Sequence, residues 1–426
     1  MTQPKILICT VGGSHQPILT AIRELNAHFV CFVCSDTDAA TGRPGSSVQV
    51  TGRGAVIKAK PDDDKPTLSN IPVQAGLEAE RYEVRLVPAD DLDQVYNVCR
   101  QALKDLHGRY PDAAIHADYT GGTKTMTAGL TLAAIEDERV ELQLVTGGRV
   151  DLIRVRNGYE SAAPANIEAI RQQASMRPHL DAWARFAYAE AEAGLRSLPT
   201  PRSLVLRAQL NRARDLSAAF AAWDRFDHTG AISRLEHYAG TLPKETASLL
   251  GILRGLADGR AAKGPAAQLL DLYRNAERRA SQGRYDDAVA RLYRLLEWTA
   301  QWLLQRHCGV ETSNLPQDFA PRIAPNRDGK RQAGLFEAWR LVGEKTSGPM
   351  AEFIHLRQAQ LLDHLKVRNG SILAHGFEPI RRDAWDSFHQ WLESGFIPDL
   401  LRETAAVGIR NMPPQLPDRY LASFDQ

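Results

Sequence analysis

Apolar residues in the first 160 positions come in short runs: Lys5–Thr10, Phe29–Cys34, Tyr82–Val87, Ala113–Asp118, Val140–Thr146 and Val150–Val155. Several are almost unbroken in their apolarity, as strands buried on both faces are. Between them, in Pro17–Leu25, Leu92–Leu106 and Thr123–Glu136, apolar positions recur at three and four, the spacing of amphipathic helices. Strand alternating with helix predicts βαβ units and a parallel sheet covered on both faces. Gly147-Gly148, between the last two runs, predicts a hairpin that closes this domain. The segment Gly42–Gly76, rich in Gly, Pro, Ser and Asp, reads as a long, partly irregular insertion. From about Asn166 the period becomes 3.6, as in Leu204–Phe226, Thr246–Leu256 and Tyr285–Gln305. Pro199, Pro201, Pro243 and Gly264-Pro265 punctuate this helical part. The predicted organisation is an α/β domain over residues 1–160, an all-α connector over 161–270, a second all-α domain over 271–410 and a Pro-rich tail over 411–426. In that tail, Asn411–Pro417 is expected to leave the core.

Composition narrows the class without choosing a function. Lys+Arg is 52 against Asp+Glu 51, a net charge of +1, so any nucleic-acid contact must come from a local patch. Hydrophobic content of 43% is that of an ordinary globular chain. Five scattered cysteines make no disulfide framework. Cys31 and Cys34 form a CxxC, but inside an apolar run and without a second pair, which reads as buried strand rather than a metal site. With no long apolar stretch, the expectation is a soluble cytoplasmic protein with no membrane partner.

Two loops follow predicted strands at their carboxyl ends, where open α/β sheets bind ligands. The first is Thr10-Val11-Gly12-Gly13-Ser14-His15-Gln16-Pro17. Its glycines turn the backbone and expose amide N–H groups, Ser14 offers a hydroxyl, and Pro17 suits a first helical turn. The second is Asp118-Tyr119-Thr120-Gly121-Gly122-Thr123-Lys124-Thr125, again strand, glycine turn and helix. Its amides, helix N-terminus, threonine hydroxyls and lysine make an anion site. Neither loop fits a P-loop or a GxGxxG fingerprint, since Lys124 follows Thr123 rather than a glycine, and this disfavours an ordinary nucleotide-dependent enzyme. One such loop alone is a tight turn with a helix cap. Two at neighbouring strand ends point to a phosphate-bearing ligand.

The Gly-Gly-Ser–Gln-Pro opening and the Asp-x-Thr-Gly-Gly-Thr-Lys loop resemble the CARF domain, the Rossmann-like sensor of CRISPR-associated accessory proteins. The resemblance implies a homodimer that binds cyclic oligoadenylate across its two-fold axis. It implies ligand contacts from Ser14, Gln16, Thr120, Gly121, Gly122, Thr123 and Lys124, with Thr10, Gly12 and Gly13 in the same cradle and Ser35 of Ser35-Asp36-Thr37 as a further contact. Some CARF domains cleave their own activator. Here Thr10, Ser14, Thr120 and Thr123 supply hydroxyls to orient the ring, with His15 the only base.

The second signal is Lys366-Val367-Arg368-Asn369-Gly370-Ser371-Ile372-Leu373-Ala374-His375-Gly376. On a continuous helix Arg368 and His375 share one face; alternatively a helix begins near Asn369 as its cap. RNA cleavage needs a group to move protons and a cation to stabilise the phosphorane, and histidine and arginine provide these without a metal. A bare Arg-x6-His is otherwise a surface arginine and an interfacial histidine. Arg-Asn followed by Ala-His resembles the R-x4–6-H signature of HEPN ribonucleases, and Asp286–Glu297 looks like the first long helix of that fold, with Arg291, Arg294 and Glu297 either toward the cleft or, for at least two of them, on a solvated helix face. CARF at one end and HEPN at the other resemble the accessory ribonucleases of type III CRISPR systems. That resemblance implies cleavage of single-stranded RNA by Arg368, Asn369 and His375, with no cofactor beyond the cyclic oligoadenylate activator, leaving a 2′,3′-cyclic phosphate. The alternative is a sensor whose helical domain only dimerises. His307, His355 and His364 lack metal-ligand spacing and read as packing or surface residues.

Overall fold

The computed structural model describes residues 3–38, 41–59, 64–146, 149–151, 154–155, 161–257, 263–369, 372–373 and 376–420. The chain divides into two units, Met1–Ala174 and Ser175–Gln426. In the first it runs β1 (Lys5–Val11), α1 (Gln16–Leu25), β2 (Phe29–Ser35), α2 (Val48–Thr51), β3 (Ile57–Lys58), β4 (Pro66–Leu68), α3 (Ile71–Ala75) and β5 (Tyr82–Val87). It continues through α4 (Leu92–Arg109), β6 (Ala114–Asp118), α5 (Lys124–Glu136), β7 (Val140–Thr146), β8 (Arg149–Asp151), β9 (Arg154–Val155) and β10 (Ser161–Pro164).

Six strands form one sheet in the order β10-β7-β6-β1-β2-β5, parallel except for β10. Alternation along β1 splits its apolar residues between two cores. Ile6 and Ile8 pack with Val95 and Cys99 of α4 and Met126 and Leu130 of α5. Leu7, Cys9 and Val11 pack with Ile18, Leu19 and Ile22 of α1. This two-sided burial is why the strands read as unbroken apolar runs. Cys31 and Cys34 are both buried strand residues with free thiols, on opposite faces of β2.

Two expectations are corrected here. The partner of β7 is not the run at 150–155: β8 and β9 pair with each other, and β10 joins β7 antiparallel, Ser161 opposite Thr146. Ser-Ala-Ala-Pro carries little strand propensity. Its pairing is fixed from outside by the Ala162 N–H donating to the Glu24 carboxylate at 2.6 Å and the Ala165 N–H to the Leu142 carbonyl at 2.7 Å. The turn at Gly147-Gly148 lies outside the described residues. The insertion at 42–76 is also more ordered than its composition suggests, since Val50, Ile57 and Ile71 enter the α1-side core.

The second unit is helical. α6 (Glu168–Leu180) contains the division between the units, followed by α7 (Tyr188–Ser197), α8 (Leu204–Asp224), α9 (His228–His237), α10 (Lys244–Ala257) and α11 (Lys263–Ser281). Then come α12 (Tyr285–Cys308), α13 (Leu335–Lys345), α14 (Pro349–Asn369), α15 (Arg382–Trp391) and α16 (Ile397–Ala405). Connector and C-terminal helices thus fall in one unit, although each has its own apolar core, one around Trp183, Phe220 and Trp223 and one around Leu292, Trp339 and Phe396. A buried polar cluster joins them. Asp224, at the end of α8, accepts from Arg278 Nε at 2.8 Å, from Asn275 Nδ2 at 2.8 Å and from Arg279.

The tail does not leave the core. Leu416 is 3% exposed in the connector core. Tyr188 donates to the Pro417 carbonyl at 2.6 Å, Arg274 to the Pro413 carbonyl at 2.9 Å and Arg278 to Gln415 at 2.7 Å. The three prolines have no amide to lose, and the carbonyls of Pro413 and Pro417 accept from Arg274 and Tyr188. Among the described residues no helix is long and apolar enough to cross a membrane.

Candidate functional site

The chain leaves β1 for β2 on one side and returns to β6 on the other, so the strand order reverses between β1 and β6. α1 and α5 consequently cover opposite faces, and the loops leading into them part to form a crevice at the carboxyl edge of the sheet. Both glycine loops open there.

The two loops interlock through backbone contact. A Cβ on Gly12 would lie 2.5 Å from the Gly122 nitrogen, and one on Gly121 would lie 2.4 Å from the Thr10 carbonyl oxygen. Gly122 also holds φ +89°, which L side chains rarely adopt. Thr10, fully buried, donates its hydroxyl to the Gly121 carbonyl at 2.5 Å. The glycines are therefore needed to bring the two loops together as well as to expose amides.

Several expected ligand contacts are occupied within the fold. The Thr120 hydroxyl accepts from the Val145 N–H at 2.7 Å. Thr123 caps α5, accepting from the Met126 N–H at 3.2 Å and donating to the Ala89 carbonyl at 2.6 Å. Ser35 exchanges hydrogen bonds with Ser46, its N–H donating to Ser46 Oγ at 2.9 Å and its hydroxyl accepting from the Ser46 N–H at 2.8 Å. Gly13, Ser14, Gln16 and Lys124 are exposed at the crevice, and Lys124 has no ion-pair partner among the described residues. α1 begins without a side-chain cap, leaving its first amides open to an anion.

Sequence reasoning missed Gln49 and Gln143, and the supporting role of Asp118. Gln49 of α2 donates to the Gly12 carbonyl at 2.5 Å. Asp118, buried at the end of β6, accepts from the Thr120 N–H at 2.9 Å and from Gln143 Nε2 at 3.3 Å. Burial pushes its carboxyl above the usual range, against the pull of those hydrogen bonds. A glutamine inside the apolar run at 140–146 was the available signal for Gln143. Burial likewise holds His15 below its ordinary value, while its ring contacts Gln16 at 3.1 Å.

In the second unit, α14 carries Arg368 and Asn369 at its end, after a kink at Arg357. Among the described residues α14 ends at Asn369, and Ile372 and Leu373 lie in a turn rather than a helix. His375 lies outside the described residues, as do the side chains of Arg368 and Asn369. Arg291 donates to Asn275 and Asp287 in the polar cluster, and Arg294 pairs with Glu297 at 2.7 Å on the surface. His364 stacks on Phe388 with ring centres 4.7 Å apart, and His355 reaches the Gly343 carbonyl at 3.1 Å.

Residues 257–396 match the family model of the Csm6 HEPN domain. A search of the curated proteins finds no match. Among solved structures, Enterococcus italicus Csm6 bound to cyclic hexa-2′-fluoro-hexa-dAMP aligns at TM-score 0.53 and 12% identity, over 96% of this chain and 95% of that one. The overall fold is similar to that of Csm6. A type III CRISPR defence DNA nuclease activated by cyclic oligoadenylate aligns at TM-score 0.24 and 15% identity, over 52% of this chain and 34% of that one. Can2 from Sulfobacillus thermosulfidooxidans in complex with cyclic tetra-adenylate aligns at 0.22 and 12%, over 55% and 64%.

Proposed function

From a chain whose helical end matches the Csm6 HEPN domain, we infer a cyclic-oligoadenylate-activated endoribonuclease of type III CRISPR defence. That match carries the reading. The crevice supports it independently, because uncapped helix amides, Ser14, Gln16 and an unpaired Lys124 suit a ring of phosphates. Thr10, Thr120 and Thr123 hold the loops in register, and Ser35 holds α2 against them. A homodimer would give each protomer half of the ring.

Single-stranded RNA is the substrate in this reading. The 2′-oxygen attacks phosphorus and gives up its proton, the P–O5′ bond breaks, and the 5′-oxygen takes a proton, leaving a 2′,3′-cyclic phosphate. His375 moves the proton, Arg368 stabilises the phosphorane charge and Asn369 positions them. None of these steps calls on a metal ion. Cleavage of labelled RNA, measured with cyclic tetra- and hexa-adenylate and with EDTA, tests this. His375→Ala should reduce cleavage by about 10²–10⁴-fold with activator binding retained. Undiminished cleavage by that variant would refute the catalytic assignment, and activity lost to EDTA and restored by Mg²⁺ would refute the metal-free route.

A further inference from the structure

A second cleft, of about 440 Å³, opens on the helical unit between α11, the start of α12 and one face of α15. Its volume suits a group the size of a nucleoside. Tyr285, Arg382, Trp385, Asp386 and His389 line it together with Glu277. On α15 the positions 382, 385, 386 and 389 recur at helical spacing and share one face.

Part of the lining is locked. Glu277 accepts from Arg274 at 2.9 Å and from Gln415 at 3.1 Å, and contacts His389 Nε2 at 3.3 Å. The same nitrogen lies 2.9 Å from the Tyr273 hydroxyl. His389 is thereby fixed beside Trp385, with ring centres 5.0 Å apart. The rest is held less tightly. Trp183, Trp223, Trp339 and Trp391 each donate their indole N–H within the protein. Trp385 is only 6% exposed, yet among the described residues its N–H has no hydrogen-bond partner, and neither has the Tyr285 hydroxyl. That N–H reaches solvent, so a group entering the cleft can accept from it. Asp386 and Arg382 face each other at 3.5 Å on the exposed rim.

The cleft is tied to segments that flank the cleavage motif in sequence. Asp286, adjacent to Tyr285, accepts the Ile380 N–H with both oxygens at 3.2 Å, tying down the chain just after the motif. The other flank of α15 packs on α14, where His364 stacks on Phe388 one turn before the helix end that carries Arg368. A helix is about 10–12 Å across, a distance a few nucleotides can cover.

We propose that this cleft binds a base of the RNA substrate near the scissile phosphate and selects bases with an exocyclic amino group over uracil. The half-buried Tyr285 ring borders the base, Arg382 offers a phosphate or carbonyl contact, and the Trp385 N–H a donor to a ring nitrogen or carbonyl. Asp386 accepts from an amino group, whereas uracil would turn carbonyl oxygens toward it. The proposal rests on the ribonuclease reading for its substrate.

The test uses the full chain with activator and a mixed-sequence RNA, with cut sites sequenced. Wild type should disfavour uridine at one position near the cut by about tenfold, Asp386→Asn should abolish that preference, and Arg382→Ala should raise KM about tenfold with kcat kept. Unchanged preference and KM in both variants would overturn the subsite. A binding arm, fluorescence anisotropy of labelled oligo(A) and oligo(U) on the His375→Ala chain, separates the two failures. If wild type cuts no RNA but oligo(A) binds more tightly than oligo(U) through Asp386, the nuclease reading fails and the subsite stands. Equal binding of both oligomers would overturn the subsite.

Discussion

Replacing Gly12 by alanine tests whether the sensor crevice depends on backbone contact between its two loops. The added Cβ would sit 2.5 Å from the Gly122 nitrogen and 3.0 Å from its Cα, both backbone atoms that no rotamer change can move. Restoring normal contact requires the loops to part by roughly 1 Å. The Thr10–Gly121 hydrogen bond, 2.5 Å long, would then stretch to the limit of such bonds. Overpacking of this kind costs about 1–3 kcal/mol, and the lost hydrogen bond about 0.5–1.5 kcal/mol more. For a unit of this size, that lowers its melting temperature by roughly 5–15 °C. Gly13→Ala is the matched control, because a Cβ there meets nothing within 4 Å. Calorimetric unfolding of the full chain and titration with cyclic oligoadenylate should show Gly12→Ala losing both stability and binding, and Gly13→Ala keeping its stability. Equal melting temperatures for the two variants would refute the interlocked-loop argument.

Lys124→Ala should weaken activator binding about tenfold, because an exposed, unpaired ammonium at a helix N-terminus meets phosphate as a point charge. Titration calorimetry at low and high salt reads this, and unchanged affinity at low salt would remove Lys124 from the site. Asp224→Ala should cost about 3–5 kcal/mol in urea unfolding, since it leaves Arg279 buried without its carboxylate and Arg278 with only Asp271 at 3.6 Å; a loss below about 1 kcal/mol would contradict that. Burial holds His15, His116 and His364 below the ordinary histidine value. The unfolded chain therefore takes up protons first, and the stability these groups contribute is full above about pH 6.5 and lost as pH falls through their folded values. Melting temperature should drop between pH 7.5 and 5.5, and His364→Phe, which keeps a ring against Phe388, should flatten the drop. An identical slope in that variant would rule out His364 as a contributor.

Strand and helix positions were legible because burial imposes a period on the chain itself. A strand covered on both faces must be apolar throughout, as in Phe29–Cys34, and a helix over a core must repeat at three and four, as in Leu204–Asp224. The glycine loops were legible for a similar reason, since close backbone approach admits no other residue at Gly12 and Gly121. Which groups meet was decided only in three dimensions. Nothing in Ser161–Pro164 announces that it pairs with β7, and nothing near Thr120 announces that its hydroxyl is taken by Val145, 25 residues away. Gln49, Gln143 and the Asp224–Arg278–Arg279 cluster are the same case, as is the tail that returns to Tyr188. Propensity and periodicity act between neighbours in sequence. A hydroxyl or carboxylate is bound or left free by whichever group folding brings within about 3 Å of it.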